Sequence, residues 1–339
     1  MSGGAPIVEV EGLTVDFVGG AKPLRAVDGV DLTLRPGEVL ALLGESGSGK
    51  SVTLRALMRL LPERRAVIAG KVRVDGHDVR ALSKSDLTAY RGRTIAMIYQ
   101  EPGIALDPVY RVGDQIAEAV MRHEGASRRE ARTRALELFE RVRIPSAARR
   151  LDNYAHEMSG GMRQRAMIAL ALACRPKVLL ADEPTTALDA TVQIQVLLLL
   201  RELQRELGLA VIFVTHDIGV ATEIADRIAV MYAGRIVETG ACRDIIRTPA
   251  HPYTGGLLAS RAGGAQAKGG RLAAIPGVPP DLSNLPPGCA FAPRCKQVQP
   301  VCEQAVPAEA SIGHDHRARC VLLSAGSAAG QREVFGETT

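Results

Sequence analysis

Eight residues, Gly44, Glu45, Ser46, Gly47, Ser48, Gly49, Lys50 and Ser51, constrain the fold of this chain more than any other stretch. They fit the pattern G-x-x-x-x-G-K-[ST], in which glycines let successive backbone N–H groups curl around the β- and γ-phosphates of a nucleotide while the lysine adds a point charge. The pattern works only between a strand and a helix. Both are expected here, because residues 39–43 are uniformly apolar and residues 51–61 read as a helix. The implied fold is a layered α/β domain whose phosphate loop sits at the carboxyl end of a buried strand. Lys50 and the amides of residues 47–52, from Gly47 to Val52, are the expected phosphate contacts, and the Ser51 hydroxyl is an expected Mg²⁺ contact.

A second anion-binding element follows more than a hundred residues later. In Met158-Ser159-Gly160-Gly161-Met162-Arg163-Gln164-Arg165, a hydroxyl and bare amides open an expected helix, where the macrodipole favours negative charge. Ser159 also suits a plain N-cap. Context favours the anion site, since residues 166–173 continue the helix and Val178-Leu179-Leu180-Ala181-Asp182-Glu183 then reads as an apolar strand ending in two carboxylates. Taken with the loop at residues 44–51, these segments resemble the ATP-binding-cassette ATPases, a likeness covering roughly three quarters of the chain. It implies a P-loop NTPase cassette with a mostly parallel core sheet, an antiparallel β subdomain and an inserted helical subdomain.

The remaining sequence suits that plan. Residues 7–17, 29–34 and 70–74 alternate apolar and polar positions, as strands of an antiparallel cluster do. From Gln100 to about residue 157 the period changes to that of a helix, and Ala135, Leu138, Phe139 and Val142 form one apolar stripe at i, i+3, i+4 and i+7. Residues 191–207 read as another helix, and residues 209–215 as a buried strand running into His216. From about residue 255 glycine and proline accumulate, and residues 263–270 are expected to be a flexible link. The domain boundaries implied are 1–254 for the nucleotide-binding domain, with its helical subdomain at about 101–158, and 255–339 for a loop-rich C-terminal extension holding a cysteine cluster.

Phosphoryl transfer demands charge neutralisation and in-line positioning more than covalent participation. The resemblance implies that Asp182 supports Mg²⁺ directly or from the next shell, that Glu183 faces the attacking water as general base, and that His216 holds Glu183 and water in line. Gln100, after Ile95-Ala96-Met97-Ile98-Tyr99, resembles the glutamine that touches Mg²⁺ and relays nucleotide state toward a membrane partner. Phe17 either stacks on adenine, as the family's upstream aromatic does, or shares a core face with Val15. Ser159, Gly160 and Gly161 are implied to complete the ATP site of an opposing subunit, with Asp189 at the joint of a head-to-tail pair. The glutamine usual after Ser-Gly-Gly is replaced by Met162, which removes one polar contact and keeps the amides.

A narrower likeness rests on Ile98-Tyr99-Gln100-Glu101-Pro102, Ala105-Leu106-Asp107-Pro108 and Val112-Gly113-Asp114-Gln115-Ile116. The tail adds His251-Pro252-Tyr253-Thr254, Ile275-Pro276-Gly277-Val278-Pro279-Pro280 and Gly288-Cys289-Ala290-Phe291-Ala292-Pro293-Arg294-Cys295. These stretches are similar to the oligopeptide and dipeptide importer branch, in which nickel, glutathione and antibiotic-peptide importers share the same tail. The branch implies two membrane-embedded permease subunits as partners, a second cassette ATPase as heterodimer or homodimer mate, and an extracytoplasmic solute-binding protein acting indirectly. It implies a peripheral position on the cytoplasmic face of the inner membrane. A cassette ATPase of DNA repair or translation is the competing class, disfavoured by the single cassette and the importer-type tail.

Composition is compatible with this. With 46% hydrophobic and 23% charged residues the chain can bury a full core, and no apolar run approaches the ~18 residues that span a bilayer. The first six residues lack the basic flank and apolar core of a signal peptide. A net charge of +5, spread among both signs, gives little support for nucleic-acid binding, and none is expected. Cys289, Cys295, Cys302 and Cys320 gather in the last quarter, while Cys174 and Cys242 stand apart. A reducing cytosol disfavours disulfides, and no close C-x₂₋₄-C pair points to zinc. Some members of the branch carry a [4Fe–4S] cluster, for which four thiolates suffice. Reduced cysteines packing a small tail are the alternative, with His314 and His316 as alternative ligands.

Overall fold

The computed structural model describes residues 5–20, 22–186, 188–266 and 275–324. Within them the chain runs through strands β1 (Val8–Phe17), β2 (Leu24–Leu34), β3 (Val39–Leu43), β4 (Ala66–Val74), β5 (His77–Asp78) and β6 (Ile95–Ile98). After a helical stretch come β7 (Val178–Asp182), β8 (Ala210–Thr215), β9 (Arg227–Tyr232), β10 (Arg235–Ala241), β11 (Ala310–Gly313) and β12 (His316–Ala318). Two sheets form, an antiparallel one in the order β2-β1-β4-β5 and a larger one in the order β11-β12-β10-β9-β3-β8-β7-β6. Strands β9, β3, β8, β7 and β6 pair in parallel, whereas β10, β12 and β11 extend the sheet antiparallel.

Burial explains why the central strands are apolar up to their carboxyl ends. Every residue of β3, β7 and β8 is buried, so neither face of these strands tolerates polar alternation. Val39, Leu179, Ala181, Val211 and Phe213 face one core with the helical region, and Leu40, Leu42, Leu180, Ile212 and Val214 face a second with the antiparallel sheet. The expected stripe Ala135, Leu138, Phe139 and Val142 is fully buried in the first of these cores. It lies on helix Arg128–Arg141, started by a capping box between Ser127 and Glu130 and ended at Val142. Helices Pro102–Ala105, Val112–Glu124 and Ala147–Arg150 complete this helical region.

The loop-rich tail is joined to the cassette by its few regular elements. Its strands β12 and β11 lengthen the core sheet beyond β10, and Phe291 joins a third core with Tyr232 and Tyr253. The Tyr232 ring lies 4.6 Å from that of Tyr253 and 5.3 Å, edge-on, from that of Phe291. Glu238 of β10 is a buried hub: its carboxylate accepts from the amides of Ala250 at 2.8 Å and His251 at 2.9 Å and sits 2.8 Å from His316 Nε2. Helix Pro252–Gln266 runs through residues 263–266, so the first half of the expected link is helical, while its remainder, residues 267–270, lies outside the described residues.

His251, beside that hub, is fully buried, and its Nδ1 accepts from the Tyr253 amide at 3.1 Å. Nδ1 therefore carries no proton, and burial pushes the imidazole pKa down to about 4 despite the Glu238 carboxylate. An unfolded histidine titrates near ~6.5, so protons favour the unfolded chain below that pH, and stability present above it is lost as pH falls toward the folded value. His251→Asn, whose amide oxygen can replace Nδ1, should flatten the fall of urea midpoint between about pH 6.5 and about pH 4.5. An unchanged slope would show that His251 is not the source of the acid sensitivity.

Candidate nucleotide site

The loop after β3 is shaped by its glycines and braced by distant strands. Gly49 precedes helix Lys50–Leu57 at φ 105, a conformation that only glycine adopts without strain. The Ser48 carbonyl accepts from the Gly234 amide at 2.9 Å, which fixes the loop to the β9–β10 turn. Lys50 is buried, and its ammonium donates to the Gly44 and Glu45 carbonyls at 2.7 and 2.8 Å. Burial holds its pKa below the ordinary lysine value, against the pull of Glu183, Asp182 and Glu45. Among the described residues, Ser48 Oγ is buried with no hydrogen-bond partner. A cation satisfied only by carbonyls and an orphaned hydroxyl in one amide-lined turn fit the oxygens of a polyphosphate.

Strand register brings the acidic residues to the same end. Leu43 pairs with Thr215, and Asp182 with Val214, so β3, β7 and β8 finish side by side. Ser51 Oγ donates to Asp182 Oδ1 at 2.7 Å across 131 residues. Burial raises the Asp182 pKa, and the Ser51 hydrogen bond works against it. The Ser51 hydroxyl and Asp182 carboxylate are hard oxygen donors of the kind Mg²⁺ takes. Glu183 follows at φ 46, a strained value for a side-chain-bearing residue. Its Oε2 accepts from Thr186 Oγ1 at 3.0 Å and lies 3.1 Å from His216 Nδ1, leaving Oε1 without a protein partner among the described residues.

The other expected residues are placed less tightly. Gln100 is exposed two positions beyond Ile98, whose partner in β7 is Ala181, and no hydrogen bond ties it to Ser51 or Asp182 among the described residues. Phe17 ends β1 half-buried against the same core that buries Val15, in keeping with a shared core face. Ser46 and Gly47 are exposed on the loop, and Val52 is half-buried. Ser159 is the N-cap of helix Gly160–Leu172, its hydroxyl accepting from the Met162 amide at 3.3 Å, and both Ser159 and Gly160 are exposed. A Cβ on Gly161 would come within 2.9 Å of Val192 Cγ1, so glycine permits this helix to approach the one that Asp189 caps.

Sequence reasoning missed the loop's second partner. Glu45 is held by the tail: its amide donates to Tyr253 Oη at 2.9 Å, and its carboxylate receives Arg294 Nη1 at 2.6 Å and Nη2 at 3.0 Å. Glu45 and Arg294 lie 249 residues apart, and neither carries a local signal for the other.

The tail cysteines meet as well. Cys289, Cys295, Cys302 and Cys320 all line one cavity of ≈ 20 Å³ beside His251. Burial pushes up the thiols of Cys289 and Cys295, and that of Cys320 to about 11. No group of three or more His, Cys, Asp or Glu among the described residues is disposed to hold a metal ion. The four thiols thus gather at one cavity, though not in the disposition of an assembled metal centre. Nor does the tail need one for cohesion, since Phe291, His316 and Arg294 already tie it to the cassette. His314 is exposed, and His316 is committed to Glu238.

A phosphate loop at the carboxyl end of β3, with Asp182 and Glu183 beside it, defines a P-loop ATPase cassette. A family model described as ABC transporter matches residues 27–186, and one described as the C-terminal region of oligopeptide/dipeptide transporters matches residues 237–302. A peptide import ATP-binding protein of Brucella abortus (strain 2308) is 50% identical over 327 residues, 93% of this chain and 97% of its own. Another, of Brucella suis biovar 1, is 52% identical over 303 residues, 89% of this chain and 91% of its own. A dimeric ATP-binding cassette in a post-hydrolysis state bound to ADP and Pi superposes with TM-score 0.62 at 31% identity, covering 70% of this chain and 99% of that one. CbiO1 from Clostridium perfringens, part of an ABC transporter complex, gives TM-score 0.62 at 26% identity, covering 77% and 96%. The chain belongs to the ABC transporter family, whose cassettes are ATPases using ATP with Mg²⁺. No helix among the described residues is long and apolar enough to cross a membrane.

Proposed function

We propose that this chain is the ATP-hydrolysing subunit of an importer for di- or oligopeptides, with residues 1–254 as cassette, about 101–158 as its helical subdomain and 255–339 as the importer-type extension. The Ser51–Asp182 hydrogen bond carries the reading, because it joins the phosphate loop to the acidic strand end at 2.7 Å. Peptide as solute is supported by the names of the Brucella relatives and by the matched tail region. The partners are two permease subunits and a second cassette, heteromeric or homomeric, at the cytoplasmic face of the inner membrane, with a solute-binding protein delivering cargo. Exposed Ser159 and Gly160 suit contact with ATP held by the opposing cassette, with Asp189 at the joint.

Within the site each residue has one task. Lys50 and the amides of residues 47–52 hold the phosphates. Ser51 and Asp182 would hold Mg²⁺, with Gln100, just beyond β6, as a further candidate ligand; when bound, the ion would neutralise charge on the phosphate oxygens. Glu183 Oε1, unpartnered among the described residues, takes the proton from the attacking water, while Thr186 and His216 keep Oε2 in place. Phe17 lies at the end of β1 as the candidate adenine contact.

The gathered thiols favour a separate, second reading: Cys289, Cys295, Cys302 and Cys320 hold a [4Fe–4S] cluster that takes no part in hydrolysis. What supports it is the convergence of four soft ligands on one cavity. Binding would require their deprotonation and a widening of that cavity.

Glu183→Gln should cut turnover by about 10²–10⁴ while ATP still binds. Hydrolysis near the parent rate would show that another group activates water. Lys50→Ala should instead weaken nucleotide binding itself. Ser159→Arg is expected to abolish hydrolysis in the assembled transporter yet leave ATP binding to the isolated subunit unchanged; equal loss in both would assign Ser159 to its own site or to the fold. Anaerobically purified protein should be brown, with iron and acid-labile sulfide in equal amounts, and Cys295→Ser should bleach it. Colourless protein with stoichiometric zinc would replace the cluster by a zinc site, and metal-free protein would leave the cysteines as packing groups.

A further inference from the structure

Glu45 occupies a position in the phosphate loop where the pattern asks for nothing in particular, yet every polar atom it has is engaged. Its amide goes to Tyr253, its carbonyl accepts from Lys50, and both carboxylate oxygens receive the Arg294 guanidinium. Arg294 is similarly committed. Its side chain is 5% exposed, Nη1 also reaches Tyr232 Oη at 3.2 Å, Nε donates to the Pro276 carbonyl at 2.9 Å, and the Tyr232 and Phe291 rings flank the guanidinium. A bidentate fork of this kind fixes orientation as well as charge, which a lysine cannot do.

The electrostatic setting gives that fork a task. Asp182, Glu183 and Glu45 all act on Lys50, the cation that must meet a polyphosphate. Asp182 and Glu183 lie at the acidic strand end, but Glu45 lies in the loop itself. An unneutralised carboxylate there would repel the incoming anion, the more so because partial burial weakens solvent screening.

We propose that Arg294, from the C-terminal extension, is a positioning residue of the nucleotide site, neutralising Glu45 and holding the first turn of the loop so that its amides and Lys50 face the phosphates. The proposal rests on the loop's assignment as the ATP site. The extension is thereby a working part of the site, supplying one charge and two hydrogen bonds that the cassette lacks.

The test is ATP binding by calorimetry on the full chain, free of partners, for Arg294→Ala, Arg294→Lys, Glu45→Gln and the double variant Arg294→Ala/Glu45→Gln. Arg294→Ala should raise the Kd for ATP by about tenfold, with a smaller rise for ADP, because the unpaired carboxylate acts on phosphate charge. Glu45→Gln should bind ATP at least as tightly as the parent, and the double variant should recover to within about threefold of it. Arg294→Lys should fall between parent and alanine variant. A double variant as weak as Arg294→Ala would reduce Arg294 to a structural tether, and an Arg294→Ala chain binding like the parent would overturn the proposal. If Arg294→Ala does not fold, Arg294→Lys and Glu45→Gln still decide, since weaker ATP binding by Glu45→Gln contradicts a charge role. Lys50→Ala measured alongside separates the two readings: unchanged affinity there sinks the site assignment, whereas a loss there with an indifferent Arg294 sinks only this one.

Discussion

The parallel ladder that joins β3 to β8 and β8 to β7 sets the position of everything chemical in this protein. Leu43 lies opposite Thr215 and Val214 opposite Asp182, so the three strands release their chains at one edge within a residue of each other. Side chains in a strand alternate between faces, and a slip of one residue would turn Asp182 away from Ser51. What prevents the slip is apolar burial on both faces. Odd and even positions of β7 and β8 enter different cores, and neither set can be exchanged for the other without exposing one and overfilling the other. The precision of the site is thus inherited from packing that contains no catalytic group.

The tail solves a different problem. Strand β10 would otherwise leave a row of unpaired backbone groups at the edge of the large sheet, and short β12 and β11 cover it. The join is made by polar groups under cover, with Glu238 satisfying two amides and His316 together. A buried carboxylate is tolerated only when its oxygens are fully engaged, and here they are. The aromatic set Tyr232, Tyr253 and Phe291 supplies the apolar part of the same seam.

Much of this was legible because the relevant signals are local. The uniformly apolar runs of β3, β7 and β8 announced doubly buried strands, and Ala135, Leu138, Phe139 and Val142 announced a buried helical face by spacing alone. Lys50, Ser51, Asp182, Glu183 and His216 were readable as parts because each sits at the end of such an element. What was not legible depends on contacts between distant segments. Arg294 looks like any arginine in a Gly/Pro-rich tail, and only the folded chain sets it against Glu45. Strand β12 has three residues, too few for period two to register, and takes its conformation from β10. The glycines at 263 and 264 suggested a link, but helix Pro252–Gln266 overrides their weak propensity.

The sheet order also bears on how the protein is made. A ribosome delivers residues from the amino end, so β3 and the phosphate loop emerge long before β12 and Arg294. Until residue 294 is available the growing chain carries a Glu45 carboxylate without its counter-ion, and until about residue 318 an uncovered β10 edge. The nascent cassette is therefore exposed to mispairing at the β10 edge until the tail strands appear, and its nucleotide loop is finished only by a short turn of the tail. Synthesis interrupted within the tail would yield a cassette with a complete set of nucleotide motifs and an unfinished loop.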